Sequence, residues 1–176
     1  MKKVIVFGAS NSKNSINKQL AIYAGSQLEN VELNVLDLND FEMPIYSIDK
    51  EEETGFPKEA TAFNSELETA DGFVISFAEH NGSYTAAFKN IFDWVSRIDP
   101  KVWREKPVLF LATSPGARGG ASVLETAVSR MPYQGAVAIG NYSLPSFYDH
   151  FKDGKITNSE LDAQLKELTV KLQKAL

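Results

Sequence analysis

The sequence predicts a doubly wound α/β fold: a mostly parallel, five-stranded sheet with helices on both faces. Three observations carry that expectation. Short continuous apolar runs recur along the chain, as in strands covered on both sides; helix-compatible stretches separate them; and one run alone alternates apolar with polar residues. Parallel strands need right-handed crossovers, and the helices that make them cover both faces of the sheet. Ligands of such sheets sit beyond the carboxyl ends of the strands, where the strand order reverses.

The elements follow in order. Val4-Ile5-Val6-Phe7, stopped by Gly8, is the first strand, and Ser15 is placed to cap a helix running to about Leu28. Residues 31–38 (VELNVLDL) alternate at period two, which suits an edge strand. Residues 39–57 are too long for a mere connection; segments of that size are usually functional or mobile, and a lid is one role open to this one. Residues 71–77 form the next apolar run. A helix near 84–98 follows, with Phe88, Phe92 and Val95 as core and Lys89, Asp93 and Arg97 as an i, i+4 ladder on the solvated face. Then come a strand over 108–112, a helix over 121–131 and a strand over 136–139. Thr157-Asn158-Ser159-Glu160 reads as a capping box for a closing helix that carries Leu161, Leu165, Leu168 and Leu172. No linker, repeat or low-complexity stretch divides the chain, so residues 1–176 are read as one domain.

Composition excludes several function classes. With 43% hydrophobic and 23% charged residues the chain has an ordinary globular balance. A net charge of -5, a pI near 5.1 and scattered Lys and Arg supply no basic field for nucleic acid. No run of 18 apolar residues suggests a membrane span, and Met1-Lys2-Lys3 leads straight into a strand; a cytoplasmic location is expected. There is no Cys, and the only histidines are His80 and His150, so thiolate chemistry is absent and no metal-ligand spacing is found. Redox chemistry here would require a bound cofactor.

Three strand-ending loops imply one site. The first, residues 8–17 (GASNSKNSIN), offers backbone N–H groups, hydroxyls and Lys13 with no Asp or Glu, which suits a phosphate; it also reads as a plain serine-rich turn capped by Ser15. The second contains Glu79, His80, Asn81, Gly82 and Ser83, and Gly82 permits close approach of the main chain to a flat ring. His80 is open to two readings, a surface loop residue or a donor of a proton or hydrogen bond beside a redox ring. The third, Thr113 to Gly120, combines a proline with three glycines, either as a ring-contacting edge or as a tight strand-to-helix turn.

In order and spacing, Ser10-x4-Ser15-x-Asn17, Glu79-x-Asn81-x-Ser83, Lys89-Asn90-x-x-Asp93-x-x-Ser96-Arg97 and Ser114-Pro115-Gly116-x-x-Gly119-Gly120 resemble the NAD(P)H-dependent FMN reductase family, with its azoreductase-, quinone reductase- and chromate reductase-like members. The resemblance implies a flavodoxin-like fold of strand order 2-1-3-4-5, with FMN across the strand ends. It implies that Ser10, Ser15 and Asn17 hold the FMN phosphate and that Glu79, Asn81, Gly82 and Ser83 border the isoalloxazine. Ser114, Gly116 and Gly119 then lie along its other side, and Ser12, Ile16, His80 and Pro115 complete the cofactor-binding set. Three positions depart from the family pattern: Ser12 in place of Arg, Ala78 in place of Pro, and His80 in place of Tyr.

The implied activity is hydride transfer from NADPH or NADH to FMN, then delivery of two electrons to a flavin, quinone, azo or similar acceptor on the same face. That is a ping-pong scheme. No side chain is assigned as catalytic, since FMN carries the chemistry. The implied assembly is a homodimer or homotetramer meeting near the flavin. The competing classes are a flavodoxin-type electron carrier without a nicotinamide substrate, and a binding protein that keeps the fold without FMN.

Overall fold

The computed structural model describes residues 1–176. In chain order the elements are β1 (Lys2–Ala9), α1 (Ile16–Gly25), β2 (Val31–Val35), a 3-10 turn (Leu38–Phe41), α2 (Ile48–Thr54), α3 (Lys58–Glu68), β3 (Gly72–Phe77), α4 (Ala86–Ile98) and β4 (Lys106–Thr113). They continue with α5 (Ala121–Arg130), a second 3-10 turn (Met131–Gln134), β5 (Ala136–Leu144), α6 (Phe147–His150), the two-residue strands β6 (Phe151–Lys152) and β7 (Lys155–Ile156), and α7 (Ser159–Ala175).

The main sheet runs in the order β2-β1-β3-β4-β5, every neighbouring pair parallel. The fold is therefore flavodoxin-like, with the alternating β2 at an edge. Within the central strands successive side chains go to opposite faces, and both faces are buried, which is why these strands read as unbroken apolar runs. Ile5, Phe7, Phe73, Ile75, Phe77 and Phe110 pack against α3, α4 and α5. Val4, Val6, Val74, Leu109 and Leu111 pack on the opposite face with α1, α7, Phe147 and Phe151.

Several boundaries differ from the sequence expectations. The first helix ends at Gly25 rather than near Leu28. β5 continues through Gly140 to Leu144, with a register irregularity opposite Val108 and Leu109. Asn158, not Thr157, caps the last helix: its side chain accepts from the N–H groups of Glu160 and Leu161, while the Thr157 hydroxyl donates to the His150 carbonyl. Helix α3 has no counterpart among the expected elements. Its sequence KEATAFNSELE is mostly polar, and only Ala60, Phe63, Asn64 and Leu67 turn inward.

The 39–57 segment is tied to α4 by several hydrogen bonds. On α4, Asn90 Nδ2 donates to the carbonyls of Met43 and Pro44, and Asn90 Oδ1 accepts from the Tyr46 N–H at 2.8 Å. Trp94 Nε1 donates to the Pro44 carbonyl at 2.8 Å, and Arg97 Nε donates to Glu51 Oε2 at 3.0 Å. This corrects the expected surface ladder: Lys89 does pair with Asp93, but Arg97 reaches away to Glu51.

Candidate functional site

The loops after β1, β3 and β4 converge at the carboxyl ends of their strands, as predicted, and enclose an open cleft of about 220 Å³. Nine residues expected at the site line it: Ser10, Ser12, Ser15, Ile16 and Asn17 from the first loop, Glu79 and His80 from the second, Ser114 and Pro115 from the third. Asn81, Gly82, Ser83, Gly116 and Gly119 do not. Asn14, Ala78, Thr113 and Tyr148 complete the wall.

The first loop is built by close packing. A Cβ placed on Gly8 would lie 2.4 Å from the Lys18 nitrogen and 2.7 Å from its Cα, so only glycine lets the start of α1 rest on the end of β1. Ser15 caps that helix, its Oγ accepting from the Lys18 N–H at 3.1 Å. In the first turn of a helix the N–H groups lack intrahelical acceptors; those of Ile16 and Asn17 stay free beside the cleft, at the positive end of the helix dipole. Ser10 is buried, and its Oγ accepts from the Ser12 N–H at 3.1 Å. Lys18 is committed to Asp37 at 2.5 Å, and its ammonium holds that carboxyl below the usual carboxylate range. Lys13, exposed, is the cation of the loop itself.

Asn17 has a structural task as well. Its Oδ1 accepts from the Thr113 N–H at 3.0 Å and from the Ser76 hydroxyl at 2.7 Å, and its Nδ2 donates to the Thr113 carbonyl at 3.1 Å. One amide therefore ties α1 to β3 and β4 beneath the cleft, and a single Nδ2 hydrogen remains for a ligand. Thr113 in turn donates to the Leu144 carbonyl, and Thr85, the cap of α4, donates to the Ala9 carbonyl at 2.9 Å.

The second loop is a hairpin. The backbones of His80 and Ser83 exchange hydrogen bonds of 3.0 and 3.1 Å around Asn81 (φ 54°) and Gly82 (φ 78°). Positive φ at both central residues makes this the mirror-image turn that Asn-Gly favours, so Gly82 is required by the turn and its added Cβ would touch nothing. The helix that follows starts at Ala86, not at the hairpin. Glu79 Oε2 accepts from the Val123 N–H at 2.9 Å, a carboxylate at the N-terminus of α5, so one wall of the cleft is braced by the next helix. Tyr84, just past the hairpin, has a buried hydroxyl without a partner, and burial pushes its phenol up to about 12.

The third loop is tied to the chain beyond β5. The Ser114 carbonyl accepts from the Phe147 N–H and the Gly116 carbonyl from the Ser146 N–H, both at 3.0 Å. Gly119 is buried against β5, its carbonyl accepting from Ser143 Oγ at 2.9 Å. Those bonds bring Tyr148 to the cleft. Tyr148 was invisible in the sequence because the last strand was expected to stop at Ile139; that a fourth strand end also contributes to such sites was the available signal.

The donors fit FMN. Two free N–H groups, serine hydroxyls and the absence of a carboxylate between residues 8 and 17 suit a phosphate, and the adjoining loops offer a slot between backbone segments. The cleft is smaller than the usual range of roughly 300–1,000 Å³ for sites that enclose a ligand, and it is open to solvent.

The chain is similar to several known proteins. Over 80 residues the chain is 39% identical to a quinone reductase of Escherichia coli, a match covering 46% of this chain and 43% of that protein. It thus aligns with under half the length of that relative. A 2-hydroxy-1,4-benzoquinone reductase from Burkholderia sp. is 36% identical over 121 residues, covering 68% of this chain and 64% of the relative. In fold the chain is similar to the flavoenzyme NAD(P)H:(acceptor) oxidoreductase FerB of Paracoccus denitrificans, with a TM-score of 0.76 at 24% identity over 99% of both chains. The family model for NADPH-dependent FMN reductase matches residues 2–149, and on that match the chain belongs to this family of oxidoreductases, with FMN and a nicotinamide nucleotide as the cofactors membership brings.

Proposed function

We propose that the protein is an NAD(P)H-dependent, FMN-containing reductase that passes two electrons to quinones, flavins, azo compounds or similar acceptors. The observation that carries the reading is the first loop: two unpaired N–H groups of α1 and the hydroxyls of Ser10 and Ser15 open into one cleft with the second and third loops, and no carboxylate of the loop opposes an anion. A bound FMN would supply the two-electron chemistry that links the nicotinamide to the acceptor. The chain's own part is to hold and shield. Ser10, Ser12, Ser15, Ile16 and Asn17 hold the phosphate; Glu79, His80, Asn81, Gly82 and Ser83 border one side of the ring; Ser114, Pro115, Gly116 and Gly119 border the other. His80, exposed on the cleft, is placed to donate a hydrogen bond or a proton from its ring nitrogens.

Nicotinamide and acceptor use one face in turn, which gives ping-pong kinetics. Ser12 carries neither the charge nor the planar fork of an arginine, so NADPH and NADH are used within about tenfold of one another. Assembly as a homodimer or homotetramer in the cytoplasm completes the proposal. No helix of the chain is long and apolar enough to cross a membrane.

The test is one anaerobic titration. The purified protein, supplied with FMN, is expected to turn yellow and to bleach rapidly on addition of either nucleotide. Slow bleaching would indicate an electron carrier, and failure to take up flavin would indicate a binding protein that keeps only the fold.

A further inference from the structure

Tyr148 lines the cleft, yet it lies outside every motif in the sequence, on the short helix α6 beyond β5. The residue is 64% exposed, and its neighbour Phe147 meets its ring edge-on at 5.6 Å. The backbone takes trouble to put it there. Ser146 adopts a left-handed conformation (φ 46°, ψ 61°), which a non-glycine residue holds only where its surroundings fix it. Here they do: the Ser146 N–H donates to the Gly116 carbonyl, its own carbonyl accepts from Asp149 and His150, and Phe147 donates to the Ser114 carbonyl.

The side of the cleft is also determined. Phe147 and Phe151 belong to the same apolar cluster as Leu20, Ala21 and Ala24 of α1, and Phe151 meets Tyr23 of α1 at 5.8 Å. α6 therefore lies on the α1 face of the sheet. The hairpin leads into α4 on the opposite face, whose residues Phe88, Ile91 and Phe92 pack in the other cluster. Tyr148 therefore comes to the cleft from the α1 face of the sheet, and it shares the cleft wall with Ser15, Ile16 and Asn17 at the start of α1. The α1 amides and the serines supply donors from their own side, and a phosphate has more acceptor oxygens than one helix end can satisfy.

We infer that Tyr148 is a cofactor-binding residue whose hydroxyl donates to the FMN phosphate, closing the site on the side of β5. The inference rests on the reading that the first loop holds that phosphate. Affinities of FMN and of riboflavin, which lacks the phosphate, are measured by flavin fluorescence for the parent protein, Tyr148→Phe and Ser15→Asp.

Tyr148→Phe keeps the ring and removes only the donor, so FMN binding is expected to weaken about tenfold, the lower end for a hydrogen bond to a charged group, while riboflavin binding stays within about twofold. Ser15→Asp sets a carboxylate against the phosphate and is expected to weaken FMN at least as much. If Ser15→Asp leaves FMN affinity unchanged, the first-loop reading fails and the tyrosine assignment falls with it. If Ser15→Asp weakens FMN but Tyr148→Phe does not, the loop reading stands and the tyrosine assignment alone is wrong. Equal losses of FMN and riboflavin in Tyr148→Phe would place the phenol on the ring or ribityl chain and overturn the phosphate assignment.

Discussion

The two ends of the cleft are built differently. At the α1 end Ser15 and Asn17 are buried, the helix rests on Gly8 with no room for a methyl group, and one amide joins three elements. At the hairpin end Glu79, His80 and Pro115 line the wall, Asn81, Gly82, Ser83 and Gly116 lie exposed outside it, and a Cβ on Gly82 would touch nothing. A charged group needs donors fixed in advance, because donors that must be ordered on binding lose entropy at that moment. A ring that exchanges one substrate for another needs an uncovered face. The α1 end thus suits the permanent anchor, and the hairpin end suits traffic.

The comparison breaks most severely, if it breaks, at Gly8. In Gly8→Val the first side-chain atom would fall 2.4 Å from a backbone nitrogen and 2.7 Å from a backbone Cα of α1. Backbone cannot swing aside as a side chain does, so the N-terminus of α1 must shift. We expect a loss of about 3 kcal/mol in stability, at the upper end for overpacking, together with loss of FMN retention. Urea midpoints and the flavin content of the purified variant check both. Retention of FMN at parental affinity would show that the donors need not be fixed by this contact.

The hairpin gives a smaller effect of the opposite kind. Gly82→Ala keeps open space around the new methyl group but forces an L-residue to a φ of 78°, which costs about 1 kcal/mol. Stability is expected to fall by that amount while FMN affinity stays within about threefold, since this end borders the ring without anchoring it. A loss of FMN affinity beyond tenfold would make the hairpin an anchor equal to the α1 end.

The same division governs what was legible in the sequence. At the α1 end the signals are local: Gly8 ends an apolar run and Ser15 sits where a helix cap belongs, so five lining residues were found together. At the hairpin end the sequence shows that Gly82 permits close approach of the main chain, while the turn that requires a glycine there is seen only in the structure. Nothing local could reveal that Asn17 spans to Thr113 or that Arg97 reaches Glu51, because both pairings depend on tertiary packing. Helix α3 is hard to read because only one narrow stripe of it is apolar, and Tyr148 because the strand expected over 136–139 in fact runs to Leu144.

The smallest expected effect separates the two ends by their hydroxyls. Thr85 and Thr113, under the strand ends, both donate to main-chain carbonyls, whereas the Tyr84 hydroxyl beyond the hairpin is buried with no acceptor. Removing an unsatisfied buried donor relieves its desolvation penalty, so Tyr84→Phe is expected to leave stability unchanged or to raise it by up to about 1 kcal/mol at neutral pH. Burial also raises the folded phenol from its ordinary value of 10.0 to about 12. The fold therefore keeps the proton that the unfolded chain gives up near pH 10, and this contribution is fully present below that pH and is lost as pH rises toward 12. Tyr23, pushed up to about 12 chiefly by burial, and Tyr142, raised by burial as well, act in the same direction. Urea midpoints from pH 8 to 11 should thus decline for the parent protein and decline less steeply, without flattening, for Tyr84→Phe. If Tyr84→Phe instead destabilises the protein by more than 1 kcal/mol at pH 8, the hydroxyl has a partner in solution, and the hairpin end is as fully satisfied as the anchor it is contrasted with.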